Sequence, residues 1–203
     1  MHMRLVLASA SPRRAELLRA AGFAFDVVAN DIDECRLPDE PPASYVRRLA
    51  AEKSARALAD PRSHSKLQDV VVIGADTTVV VDDEILGKPQ GDDDAATMLR
   101  RLSGRPHEVM TGLSLRRGSL ELGRVETTTV YFAPLDPDEI EWYVRSGEGR
   151  DKAGAYAIQG LASRFVRRIE GSYANVVGLP IGTVKDLLKE LSDLASSRST
   201  GLF

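Results

Sequence analysis

Apolar runs alternate with amphipathic stretches along this chain. Arg4–Ala8 is a compact apolar run that predicts a buried strand, and Pro12–Ala21 is an amphipathic run that predicts a helix stopped by Gly22. Phe25–Ala29 predicts a second strand, leading into the acidic turn Asn30-Asp31-Ile32-Asp33-Glu34 and a loop marked by Pro38, Pro41 and Pro42. Over Ala43–Ala59 the residues Val46, Leu49, Ala50 and Leu58 recur at helical spacing, with Lys53 along the length. Asp69–Val81 is the strongest strand, because β-branched residues fill it on both sides of Gly74-Ala75-Asp76. Asp82-Asp83 reads as a hairpin turn with Glu84-Ile85-Leu86 returning.

The second half continues in the same way. Asp92–Leu102 predicts a helix with an acidic start and a basic end, matching the helix dipole, and Ser103-Gly104-Arg105-Pro106 breaks it. His107–Leu115 and Leu120–Phe132 predict antiparallel strands, Pro137–Ser146 a helix, Phe165–Ile169 a strand and Ile181–Leu194 a closing helix. Asp151–Gly160 is a glycine-containing segment at a site or loop. The polar stretch from Ser196 reads as a frayed tail. Strand and helix alternate first, and hairpins and helices follow. That order predicts an α/β fold on a mixed sheet, without the regularity of a doubly wound parallel sheet. No repeat, low-complexity tract or linker divides the 203 residues, which suffice for one domain or one domain with two lobes.

Composition narrows the partners. The chain is 43% hydrophobic and 28% charged, its net charge is −3, and no basic stripe is present, which disfavours a nucleic-acid binder. The aromatic share of 5% points the same way, since single strands are bound on stacked aromatic rings. No apolar run approaches membrane-spanning length, and Leu5–Ala8 is too short for the core of a signal peptide. The lone Cys35 excludes an intramolecular disulfide framework and fits a reducing cytoplasm.

The richest segment chemically is Ser9-Ala10-Ser11-Pro12-Arg13-Arg14. Pro12 suits the first helical turn, so Ser11 falls at the N-cap and two arginines enter the end of the helix that is already partly positive. An ordinary helix start tolerates one of them. Two make sense with an anion held among them by backbone N–H groups and hydroxyls, and a phosphate chain is the natural choice. Asp76, in an otherwise apolar strand, is either a satisfied structural carboxylate or a functional one, and Gly74 beside it marks a bulge or a close backbone approach. Glu34, with Asp31 and Asp33, supplies carboxylates that can share Mg2+ with Asp76 and a phosphate substrate. Lys53, Lys88 and Lys152, added to Arg13 and Arg14, make a triphosphate clamp. Several known motifs fail. Gly87-Lys88 runs into Pro89 and is no P-loop, Gly147–Lys152 lacks the third glycine of a dinucleotide fingerprint, and the histidines are scattered. Gly112–Arg116 is no nucleophile elbow, and Ser63-His64-Ser65-Lys66 is a chance match in a polar loop.

Taken in order, these segments resemble the Maf family of nucleoside triphosphate pyrophosphatases. The matching stretches are Leu7–Arg14, Asp33-Glu34, Ala51–Lys53, Ile73–Thr77, Leu86–Pro89, Leu102–Arg105, Asp151–Gly160 and Val176–Pro180. The resemblance implies a fold like that of the inosine triphosphatase (Maf/Ham1) group, with two lobes around a cleft. It implies hydrolysis of a nucleoside triphosphate to the monophosphate and pyrophosphate, with Asp76 matching the proton acceptor. Arg13, Thr77 and Gln159 match the family's specificity determinants, in the combination of the branch acting on dTTP and UTP, and modified pyrimidine triphosphates are expected substrates. Ser9, Arg13, Arg14, Lys53, Thr77, Lys88, Asp151, Lys152 and Gln159 are then the substrate-binding positions. Glu34 and Asp76 are the ligands for a divalent cation, Mg2+ or alternatively Mn2+. Asp76 as a tight metal ligand and Asp76 as a free base remain alternatives. A homodimer is a family-level expectation, and a non-catalytic nucleotide sensor linked to cell division is the alternative function. Two departures from the family pattern stand out, the polar connection Pro61–Gln68 and the sequence Leu161-Ala162-Ser163-Arg164 where glycines are usual.

Overall fold

The computed structural model describes residues 3–63 and 69–200. The remainder of the Pro61–Gln68 connection beyond Ser63, most of the Ser63–Lys66 match and residues 201–203 of the expected tail lie outside the described residues. The elements are β1 (Met3–Ala8), α1 (Pro12–Ala20), β2 (Phe25–Val27), α2 (Pro42–Ala59), β3 (Asp69–Val81), β4 (Glu84–Leu86), α3 (Asp92–Leu102) and β5 (Pro106–Arg117). They continue with β6 (Leu120–Phe132), α4 (Pro137–Ser146), β7 (Val166–Glu170), α5 (Tyr173–Val177) and α6 (Ile181–Thr200), with short 3-10 turns at Pro61–Ser63, Ala153–Ala155 and Leu161–Phe165. The closing helix runs on through the expected tail to Thr200, and α5 is an element that the apolar periodicity does not predict.

The seven strands among the described residues form one mixed sheet in the order β2-β1-β3-β5-β6-β7, with β4 also pairing β3. β1 is parallel to β2 and β3, and the other pairs are antiparallel. β3 is the spine. Alternate residues along a strand face opposite sides. Val71, Ile73 and Ala75 therefore join Leu5, Leu7, Leu18, Leu179 and Leu187 in a core beneath α1 and α6. Val72 joins Val6, Ala8 and Ala57 beneath α2 on the other side. Farther along β3, Val79 and Val81 join Leu99, Val130, Phe132, Tyr143 and Phe165, a second large core closed by α3 and α4. The turn Asp82-Asp83 has φ of 53° and 60°, the left-handed pair that a two-residue hairpin needs.

One feature of the pairing opens the sheet. β1 leaves β3 at the pair Ala8–Gly74, and β4 joins the same edge only at Val79–Leu86. Residues 75–78 are therefore paired on one side only, with β5. Asp76, Thr77 and Thr78 lie in that gap.

Candidate active site

The gap is the floor of a cleft of about 730 Å3, a size suited to a small-molecule ligand. Its walls come from the start of α1, the loop after β2, α2, the loop after β4, and residues 151–159.

Arg14 holds the floor together. α1 starts at Pro12, whose fixed φ favours the first turn, with Ser11 in the extended N-cap conformation. The Ser11 side chain makes no cap. Ser9 Oγ accepts the Ser11 N–H instead, at 3.3 Å. Arg14 is nine-tenths buried, and its guanidinium donates in three directions. It reaches Ser9 Oγ at 3.0 Å, Thr77 Oγ1 at 3.0 Å and the Gly178 carbonyl at 2.8 Å. Burial lowers its pKa, opposed by the negative charge of Asp76, and arginine stays charged regardless. Thr77 Oγ1 in turn bonds Thr111 Oγ1 at 2.9 Å, and Thr111 reaches the Asn175 carbonyl at 3.3 Å. The hydroxyl of Thr77 is thus engaged within the protein, and Thr77 meets a ligand chiefly through the arginine that it holds.

Asp76 and Glu34 converge on one cation. Lys53 Nζ is 2.6 Å from Asp76 Oδ1 and 2.6 Å from Glu34 Oε1. Lys53 is therefore not a free member of a cationic clamp, because it bridges the two carboxylates. What puts it there is the approach of α2 to the sheet. Cβ atoms at Gly74 and Gly112 would collide with the Ala50 and Val46 carbonyls of α2. Pairing between β3 and β5 runs unbroken from Val72 to Val80, so Gly74 marks a close approach and not a bulge. Burial alone would raise the Glu34 pKa. The hydrogen bond and charge of Lys53, with the charges of Lys88 and Arg14, outweigh it and hold the carboxyl below its usual range.

The other expected positions line the same cleft, Arg13 half-buried and Lys88 and Gln159 exposed. Lys152 is partly diverted, since its Nζ donates to the Glu148 carbonyl at 2.7 Å and to Asp151 Oδ1 at 2.5 Å. That hydrogen bond and charge, with Arg13 adding, hold the Asp151 carboxyl below the ordinary aspartate range. Sequence reasoning missed Tyr45, which lies on α2 and donates to the Glu34 carbonyl at 3.0 Å. Burial and then the charges of Asp76 and Glu34 push its phenol up to about 12. Its position about two helical turns before Lys53 was the available signal. Thr111 and Asn175 were also missed; Thr111 is found only through its register with Thr77.

Comparison with known proteins follows the same lines. A dTTP/UTP pyrophosphatase of Hahella chejuensis is 53% identical over 189 residues, covering 92% of this chain and 92% of the relative. One from Vibrio parahaemolyticus is 50% identical over 186 residues, covering 92% and 96%. Among solved structures, the Ham1 protein of Staphylococcus aureus matches with a TM-score of 0.51 over 92% of this chain and 98% of that one. At 16% identity that match bears on the fold alone, and the mixed α/β architecture agrees with it. The model of the Maf-like protein family matches residues 4–191. The chain belongs to the Maf-like protein family.

Proposed function

We propose that the protein hydrolyses nucleoside triphosphates, dTTP and UTP foremost, to the monophosphate and pyrophosphate. One observation carries the reading. Two carboxylates converge on a single cation in a cleft that Arg13, Arg14 and Lys88 also line. A purely structural cleft has no use for that many cations around paired carboxylates, and a binder of polyanions has no use for Asp76. The dTTP/UTP pyrophosphatases at 50% and 53% identity support the same substrate class.

In this reading Arg13, Arg14 and Lys88 bind the phosphate chain, with Ser9 and the free N–H groups at the start of α1. A water attacks the α-phosphorus in line. The bond from that phosphorus to the oxygen bridging toward the β-phosphate breaks, and pyrophosphate leaves with the bonding pair. Asp76 takes the proton from the water, and we assign it to Oδ2, the oxygen that Lys53 does not hold. A positioned base of this kind contributes roughly 10²- to 10⁴-fold. Lys53 ties the two carboxylates together within the cleft. Gln159 lies at the base end, where an amide offers both a donor and an acceptor. Thr77 acts on the phosphate chain through Arg14, and Asp151 and Lys152 line the cleft.

The donor set fits a divalent cation. Among the described residues no group of three or more His, Cys, Asp or Glu side chains gathers. Mg2+, however, is commonly held by one or two carboxylates together with substrate phosphates, and Glu34 and Asp76 already converge on an ammonium. Glu34 and Asp76 would hold Mg2+, or Mn2+ in its place. When bound, the ion neutralises charge on the phosphoryl oxygens and the departing pyrophosphate.

Among the described residues no helix is long and apolar enough to cross a membrane. We place the protein in the cytoplasm, where its exposed free Cys35 thiol suits the reducing conditions, as a single two-lobed domain. We expect a homodimer and no nucleic-acid partner, given the net charge of −3. The test is pyrophosphate release, read as phosphate after coupling to inorganic pyrophosphatase, across a nucleotide panel with and without Mg2+. Preference for dTTP and UTP is expected. A flat response would favour the nucleotide sensor.

A further inference from the structure

The loop that carries Gln159 is pinned from beneath by a carboxylate that the reaction itself does not use. Glu148 follows the left-handed Gly147 at the end of α4, and its carboxylate collects three donors. Tyr143 Oη donates to Oε2 at 2.8 Å, the Leu161 N–H to Oε1 at 2.9 Å and the Ala162 N–H to Oε2 at 3.4 Å. Tyr143 Oη accepts the Ala157 N–H at 3.1 Å. The backbone is thus tied on both sides of Gln159, at 157 and at 161–162. The anchor is firm, because Tyr143 is only 1% exposed and packs edge-on against Phe165 with ring centroids 5.3 Å apart. Gly160 completes the socket, since a Cβ there would run into the Glu148 carboxylate.

We propose that Glu148, braced by Tyr143, is a positioning residue that holds the Gln159 loop and so sets which base the cleft accepts. The proposal rests on the function proposed above. Its chemistry follows from the amide. A glutamine side chain on a loose loop can turn over and satisfy either the N–H and carbonyl edge of uracil or thymine, or the inverted edge of cytosine. Discrimination therefore needs a backbone that fixes where the amide starts. Three donors on two oxygens leave no room for an amide in place of the carboxylate. In Glu148→Gln the new NH2 group faces either the Leu161 N–H or the pair from Tyr143 and Ala162.

Two variants test this. Glu148→Gln removes one acceptor, and Gly160→Ala pushes the carboxylate out of its socket from the other side. Gly160 has a φ of −112°, outside the left-handed region. Each is assayed on dTTP, dCTP and deoxyribose 5'-triphosphate, which lacks a base, and amide hydrogen exchange is followed over 157–162. We expect the preference for dTTP over dCTP to shrink by about ten- to a hundred-fold, the range for a misplacement near 1 Å. The loss should fall on KM, turnover of the abasic substrate should stay near wild type, and amide protection should be lost at 157–162 alone. Unchanged base preference in both variants, with an active wild type, overturns this proposal and leaves the function standing. Equal loss on the abasic substrate also overturns it, because the loop would then serve folding or phosphate binding. A wild type inactive on every nucleotide overturns the function and the proposal together.

Discussion

Substituting alanine for Gly74 tests how the fold places the chemistry. The added Cβ would lie 2.8 Å from the Ser54 backbone nitrogen and 2.9 Å from Ser54 Cβ, and would collide with the Ala50 carbonyl. Ordinary contact starts near 3.4 Å, so α2 must retreat by about half an ångström at Ser54 and farther at Ala50. Overpacking of this kind costs about 1–3 kcal/mol. The retreat also stretches the Ser54 Oγ bridge to Ser114 Oγ (2.8 Å) and Arg116 Nε (2.9 Å), adding about 1 kcal/mol. The expected loss is about 2–4 kcal/mol in urea unfolding, with an unchanged denaturant slope. Lys53 precedes Ser54 on the same helix, so it draws back from Asp76. If a 1 Å error costs about a hundredfold, half an ångström should cost pyrophosphate release about tenfold. Gly182→Ala is the control, since open space surrounds it within α6, and it should be neutral or gain up to about 1 kcal/mol. A Gly74→Ala protein within about 0.5 kcal/mol of wild type and fully active would refute the close-approach argument.

Two further outcomes follow from the buried polar groups. Arg14→Met removes three hydrogen bonds at similar length. Ser9, Thr77 and the Gly178 carbonyl border an open cleft and can rehydrate, so stability should fall by no more than about 2 kcal/mol. Nucleotide affinity, read by calorimetry, should fall by more than tenfold, and affinity within a few-fold of wild type would count against a phosphate role. His107 is 3% exposed, bonds Tyr156 Oη at 2.8 Å, and is held down to about 4 by burial. Between pH 6.5 and about 4 the unfolded chain binds a proton that the folded one refuses. Stability is therefore lost as pH falls through that window, by about 3 kcal/mol in total at about 1.4 kcal/mol per unit. His107→Gln should lack this part of the acid slope in unfolding measured at pH 7, 5.5 and 4.5, and parallel slopes would remove His107 as its source.

Much of the fold is legible locally. β3, β6, α3 and α4 begin and end where the pattern predicts, because each boundary has its own local cause. α4, for example, opens on Pro137 behind a capping box in which Asp136 accepts the Glu139 N–H at 2.8 Å. α5 was not predicted because five residues hold too little periodicity, and only the Ser172 cap marks it. The site residues were legible as residue types in an order, and their partners were not. Arg14 meets Gly178 across 164 positions, and Lys53 meets Asp76 because of two glycines that no periodicity flags. Ser11 is the N-cap residue as expected, yet its side chain makes no cap, and its own N–H bonds Ser9 Oγ. The sheet edge open at 75–78 depends on where β1 ends and β4 begins, a long-range outcome that no single window of residues contains.

The most direct measurement is single-turnover pyrophosphate release by Asp76→Asn, with nucleotide binding measured alongside. Release should fall by roughly 10²- to 10⁴-fold while dTTP affinity stays within a few-fold of wild type, since the cations of the cleft remain in place. Release near the wild-type rate with unchanged affinity would contradict the assignment of the proton to Asp76.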